Sequence, residues 1–139
     1  MNKYVLDASA LLALLNNEPG AQRVRDILPH SVIGAVNVCE TVGKLTSGGM
    51  SFDDAKASIQ LLNPEIIPFD TELAYKAGAL AADTKSFGLS LGDRACLALG
   101  LTLKNTVVTA DQLWAKLKVE VTIEVIRGNA PALREPGAI

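Results

Sequence analysis

Aromatic residues make up only 4% of this 139-residue chain, and His30 is its single histidine. So few rings cannot build the stacking platforms on which single-strand nucleic-acid binders hold successive bases. One histidine and two cysteines, Cys39 and Cys96, without a Cys-x-x-Cys spacing, exclude a zinc centre of the usual Cys/His kind. The cysteines read as reduced thiols on buried helix faces, and His30, after Pro29, as a surface loop residue. No apolar run reaches the roughly 20 residues that span a bilayer. Met1 leads straight into a strand-like segment rather than a charged-then-apolar leader, so the expected compartment is the cytoplasm, with no membrane association. A basic excess is missing too. With a formal net charge of −2, nucleic acid would have to be met through a local basic rim, a bound metal, or both. Neither Gly-x-x-x-x-Gly-Lys nor Gly-x-Gly-x-x-Gly occurs, which disfavours nucleotide cofactors held by those loops.

What the chain does have is aliphatic side chains. Hydrophobic residues account for 49%, enough for one core, and residues 1–139 read as a single domain. Apolar runs at Tyr4–Leu6, Ser31–Val36, Ile66–Phe69, Thr106–Thr109 and Val119–Ile126 predict five strands. Helical stretches alternate with them: Ala10–Leu15 capped by Ser9, Ala21–Leu28, a helix from Asn37 to Ser47, Ser51–Leu62, Thr71–Thr84, Leu91–Leu103 after Ser90, and Asp111–Leu117. This alternation predicts an α/β, three-layer fold: a mainly parallel central sheet of about five strands with helices on both faces. The stretches Ser51–Leu62 and Thr71–Thr84 are expected as a helical pair beside the sheet. Leu11 to Leu15 is apolar nearly all round and needs cover on more than one side, from neighbouring helices, a second subunit or a partner segment. The tail from about Gly128 is expected to pack loosely or to reach onto a partner.

Four acids stand where a strand hands over to a helix: Asp7 in Tyr-Val-Leu-Asp-Ala-Ser, Glu40 in Val-Asn-Val-Cys-Glu-Thr, Asp93 in Leu-Ser-Leu-Gly-Asp-Arg, and Asp111 in Val-Val-Thr-Ala-Asp-Gln. In an open parallel sheet the carboxyl ends of the strands line one crevice. Each acid alone has a local explanation: Asp7 and Asp111 as helix caps, Glu40 in a helix first turn, Asp93 at capping-box spacing from Ser90. Four at successive switches, two of them against Val5-Leu6 and Val107-Val108 and with no matching set of Lys and Arg, call for a cation among them. Hard oxygen donors suit Mg²⁺ or Mn²⁺. The reading is a metal-dependent enzyme acting on a phosphate-containing substrate, with nuclease leading. Asp7 and Asp93 would hold the ion; Glu40 or Asp111 would orient a water, take its proton, or join the ligand set. Arg94 and Lys44, one residue and one helical turn beyond an acid, are candidates to meet substrate phosphates. Ser9 and Thr109 are candidates to hold substrate, water or a carboxylate, beside their structural readings as a helix cap and a strand-end threonine. Arg23, Arg25 and Lys104 read mainly as solvated helix faces.

Val-Leu-Asp-Ala-Ser-Ala-Leu-Leu-Ala-Leu near the start, Val-Cys-Glu-Thr-Val-Gly-Lys-Leu, Ile-Ile-Pro-Phe-Asp, Leu-Ser-Leu-Gly-Asp-Arg-Ala-Cys-Leu-Ala-Leu-Gly and Val-Val-Thr-Ala-Asp together resemble a PIN-domain protein, and more narrowly a VapC-type toxin ribonuclease of a bacterial toxin–antitoxin pair. The resemblance covers nearly the whole chain. It implies a parallel sheet with an acidic quartet at Asp7, Glu40, Asp93 and Asp111, Mg²⁺ or Mn²⁺, endonucleolytic cleavage of RNA, a homodimer, and a cognate antitoxin that blocks the site. Many relatives carry Ala where Gly92 stands; the glycine is expected to loosen its helical turn slightly and to leave Asp93 in place. Two other classes compete. A Mg²⁺-binding phosphoacceptor receiver would use Asp70 as its phosphorylated residue, although Asp7 is unpaired and Arg127 stands where that class needs Lys. A non-catalytic binding module would use the fold only as a surface.

Overall fold

The computed structural model describes residues 2–127 and the backbone of Leu133–Arg134. The chain runs β1 (Tyr4–Leu6), α1 (Ala8–Leu15), α2 (Ala21–Ile27), β2 (Ser31–Gly34), α3 (Ala35–Ser47), α4 (Phe52–Leu62), β3 (Glu65–Ile67), α5 (Thr71–Asp83), α6 (Leu91–Leu103), β4 (Thr106–Thr109), β5 (Ile123–Val125) and β6 (Leu133–Arg134). Short 3₁₀ turns lie at Leu28–His30, Lys85–Phe87 and Gln112–Lys116.

The strands order as β3-β2-β1-β4-β5-β6, with β1 to β5 parallel and β6 antiparallel to β5. This is the α/β architecture that the alternation of strands and helices predicts. Successive side chains on a strand point to opposite faces, and the registered triplets divide the core accordingly. Val5, Val32 and Val107 pack with α5, α6 and the Trp114 segment on one side. Leu6, Ile33 and Val108 pack with α1 and α2 on the other. The chain leaves β1 toward β2 and β3 on one side and resumes at β4 and β5 on the other. Between β1 and β4 lies the topological switch point, where open α/β sheets hold their ligands at the carboxyl strand ends. A receiver module orders its strands β2-β1-β3-β4-β5; here β1 pairs with β2 and β4. Asp70, N-cap of α5 beyond the edge strand β3, is therefore remote from the switch point, and the receiver reading fails on topology.

Several local expectations change. Helix α3 starts at Ala35, with the extended Gly34 as N-cap, so Asn37 lies inside the helix and Glu40 is its sixth residue rather than a first-turn acid. Val119 and Val121 are buried without belonging to β5; their apolar pattern reports burial, not strand. The expected α4–α5 pair is split by β3, with α4 against α3 and α5 against α6. Helix α1 is covered by α2, α3 and β4 of its own chain, which removes its apolarity as an argument for a second subunit. Cys39 is exposed rather than buried, Cys96 is buried, and both are free thiols. The expectation of a loose tail falls outside the described residues, apart from the backbone pairing of Leu133–Arg134. No helix among the described residues is long and apolar enough to cross a membrane.

Two fastenings hold the frame. Arg23 on α2 donates from Nε and Nη2 to both oxygens of the nearly buried Glu124 on β5, at 2.8 and 2.9 Å, and stacks over Tyr4; the paired geometry orients as well as binds. Gly100 lets α6 approach β4: a Cβ there would stand 2.3 Å from Val107 Cγ2. Gly100→Ala is therefore expected to destabilise by about 1–3 kcal/mol through overpacking, despite the better helix propensity of Ala. Gly78, on α5 with open space around it, is expected to respond to the same change with a gain of about 0.5–1 kcal/mol. Urea unfolding of the two variants checks the opposite signs.

Candidate active site

At the carboxyl ends of the strands lies an open crevice of about 330 Å³, lined in part by Asp7, Ser9, Glu40, Lys44, Asp93 and Asp111. The four acids reach it from four segments. Asp7 follows β1, Glu40 projects from α3, Asp93 sits in the first turn of α6, and Asp111 follows β4.

Asp7 is the deepest, 4% exposed. Its backbone N–H continues the sheet by donating to the Val108 carbonyl at 3.0 Å. Oδ1 caps α1 by accepting from Ala10 N–H at 2.8 Å and also accepts from the Ser9 hydroxyl at 2.7 Å. Oδ2 accepts from the Thr109 hydroxyl on β4. Each hydroxyl has a single hydrogen, so both are committed to Asp7, and their oxygens accept from backbone: Ser9 from Ala110 N–H at 2.8 Å, Thr109 from Asp111 N–H at 3.0 Å. The 3.3 Å approach of Ser9 to Thr109 is then a contact rather than a further bond. Ser9 lies in the second position of α1, not at its cap. Thr109 is fully buried and holds a carboxylate instead of facing the crevice.

The other three acids share a second pattern. Asp93 Oδ2 accepts from Ser90 N–H at 2.9 Å while Ser90 Oγ accepts from Asp93 N–H, closing a capping box. Asp111 Oδ1 caps the 3₁₀ turn through Leu113 N–H at 3.0 Å. Glu40 Oε1 accepts from Asn37 Nδ2 at 2.9 Å. In each, the second oxygen has no protein partner among the described residues. Capping and site-forming are therefore not alternatives: one oxygen anchors the chain and the other remains for a ligand. These donors fit a hard divalent cation. No three His, Cys, Asp or Glu side chains among the described residues converge closely enough to enclose one, so an ion there keeps waters or takes substrate oxygens, as Mg²⁺ commonly does.

Of the candidate cations, Lys44 lines the crevice. Arg94 is turned toward α5, donating to the Ala77 carbonyl at 3.2 Å. Arg23 is held by Glu124, Arg25 by Gln22, and Lys104 ends α6 in a left-handed conformation. His30 is exposed at the end of its 3₁₀ turn. Asn37 is the site residue whose role the sequence concealed. It reads there as a helix cap, yet its three-residue spacing from Glu40 puts both on one helix face.

Burial, the largest influence, pushes Asp7 up to about 6, against its three hydrogen bonds and with a further rise from Asp93. Glu40 is also raised, by partial burial and then Asp93, while Asn37 and Lys44 oppose the shift. The buried Cys96 thiol is pushed up by burial first and by Asp7, Asp93 and Glu40 after it, so it stays protonated. Since the folded-state value of Asp7 exceeds that of the unfolded chain, the folded protein binds the extra proton. Its contribution is fully present below about pH 4 and is lost as pH rises through about 6, on the order of 3 kcal/mol in all. In urea unfolding without metal, the stability of wild type relative to Asp7→Asn is expected to fall across that window; parallel pH profiles would contradict it.

The sequence matches the PIN domain family over residues 4–120. Among curated proteins none matches. Solved structures share the fold at low identity. The DNA-bound VapBC from Salmonella typhimurium is similar at 17% identity and a TM-score of 0.70, over 91% of this chain and 100% of that one. VapBC2 from Rickettsia felis, bound to a promoter DNA fragment, is similar at 16% and 0.64, over 81% and 90%. FitAcB from Neisseria gonorrhoeae is similar at 20% and 0.59, over 78% and 88%. The matched span contains all four crevice acids and strands β1 to β4, and on that match the chain belongs to the PIN domain family.

Proposed function

We propose that this protein is a divalent-metal-dependent endoribonuclease of the VapC type, the cytoplasmic toxin of a bacterial toxin–antitoxin pair. The observation that carries the reading is the gathering of Asp7, Glu40, Asp93 and Asp111 around one crevice in a PIN domain. Structural neighbours that are themselves toxin–antitoxin or VapBC complexes support the partner assignment. By the same resemblance the protein pairs with a cognate antitoxin that covers the crevice, and with a second copy of itself.

Asp7 and Asp93 are the residues we assign to hold the cation, Mg²⁺ or Mn²⁺. When bound, the ion supplies positive charge to the scissile phosphate and makes a nearby water more acidic. Glu40 Oε2 has no protein donor among the described residues, and we assign it to join the ligand set, directly or through a water whose proton it accepts. Asp111, exposed at the rim with its Oδ1 tied to Leu113, orients that water or completes the ligand set. Lys44, also exposed, meets a substrate phosphate as a point charge. Ser9 and Thr109 act through Asp7, whose two oxygens they hold.

Purified protein is expected to cut a total-RNA pool into discrete products with Mg²⁺ or Mn²⁺. EDTA should abolish cleavage, and Asp93→Asn should lower it at least ~100-fold, the scale on which losing one preorganised electrostatic group acts. Mn²⁺ binding without hydrolysis of any RNA would overturn the nuclease reading in favour of a binding module.

A further inference from the structure

Gly92, the residue before Asp93, lies against Glu40. A Cβ built on it would stand 2.1 Å from Glu40 Cδ and 2.2 Å from each of its carboxylate oxygens. No real side chain fits at that separation. Gly92 is buried and helical, so no unusual backbone angle explains it; the missing Cβ is a space, and the Glu40 carboxylate occupies it. The same place has a tether. Asn37 Nδ2 donates to Glu40 Oε1 at 2.9 Å and to the Gly92 carbonyl at 3.1 Å. Its Oδ1 is buried without a hydrogen-bond partner, and a Cβ on Gly34 would stand 3.3 Å from it. Exchanging the amide's O and N would set an oxygen against two acceptors, so the orphaned Oδ1 is the consequence of aiming the NH₂ at Glu40. A buried unmade bond of this kind is costly and calls for a compensating gain.

We propose that Gly92 and Asn37 are positioning residues for Glu40: Gly92 leaves the space into which the carboxylate lies across the first turn of α6, and Asn37 fastens it there beside Asp93. The inference rests on the metal-site reading for its consequence, though not for its geometry. Gly92→Ala displaces the carboxylate from this seat and from its bond to Asn37, even though alanine suits a helix better than glycine.

The test is a four-protein cycle of wild type, Gly92→Ala, Glu40→Ala and the double variant, read by Mn²⁺ titration calorimetry and by thermal unfolding without metal. Gly92→Ala and Glu40→Ala are each expected to weaken Mn²⁺ binding about tenfold or more, and the double variant no further. Without metal, Gly92→Ala should lower Tm when Glu40 is present and leave it equal or higher when Glu40 is alanine. Unchanged Mn²⁺ affinity in Gly92→Ala, or losses that multiply in the double variant, would overturn the proposal. If wild type takes up no Mn²⁺, the metal-site reading fails by itself, and the melting comparison still decides the positioning: an equal Tm cost in both backgrounds rejects it. Should Gly92→Ala fail to fold while the double variant folds, the clash is demonstrated directly. Asn37→Ala, which keeps the space and removes the tether, is then the variant titrated, and wild-type Mn²⁺ affinity there would sink the tether.

Discussion

A carboxylate buried at the end of the central strand organises this molecule. Asp7 closes β1, starts α1, and binds hydroxyls from α1 and β4. Those hydroxyls in turn accept from Ala110 and Asp111 N–H groups. One side chain therefore ties the first half of the sheet to the second across the switch point. Desolvating it is unfavourable, as its elevated protonation range reports, and no ion pair from Lys or Arg relieves it among the described residues. The fold accepts that penalty because the hydrogen bonds are many and well placed. In the proposed metal-bound state a cation would relieve it further.

The other acids follow a gentler rule. A helix start needs an acceptor for its free N–H groups, and a cation site needs oxygens held at fixed positions. In the proposed site Asp93 and Asp111 meet both needs at once, one oxygen to each. Glu40 cannot, because it lies well inside α3 where backbone donors are already used. It takes its anchor from a side chain instead, Asn37, and its space from Gly92. This is why the least local of the four acids depends on two residues that carry no charge.

Much of the layout was legible in the chain. Tyr4–Leu6, Thr106–Thr109 and Leu91–Leu103 have the bounds their patterns suggest, because each is a short apolar run or a capped periodic helix with a clear breaker on either side. The prediction slipped where burial and secondary structure part company. Val119 and Val121 are apolar because they are covered, not because they are paired. Asn37 resembles a cap because Asn often caps, but Gly34 performs that task and frees the amide for Glu40. Arg94 stands next to an acid in sequence, yet adjacent positions on a helix face different ways, and its guanidinium goes to Ala77.

The sequence by itself determined the alternation of strands and helices, and with it the parallel sheet, the placement of Asp7 and Asp111 directly after strands, and the capped first turn that holds Asp93; the strand expected before Asp93 is absent, since α6 follows α5 and a 3₁₀ turn. These are local properties, set by hydrophobic period, capping chemistry and breakers within a few residues. Only the tertiary structure decided the strand order that separates this fold from a receiver, the use of Ser9 and Thr109 to hold Asp7, and the seat of Glu40 over Gly92. Ser9 is a sequence neighbour of Asp7, but Thr109 reaches Asp7 across 102 positions and Asn37 reaches Gly92 across 55, and the distance between such residues is set by how the layers pack, which no window of sequence contains.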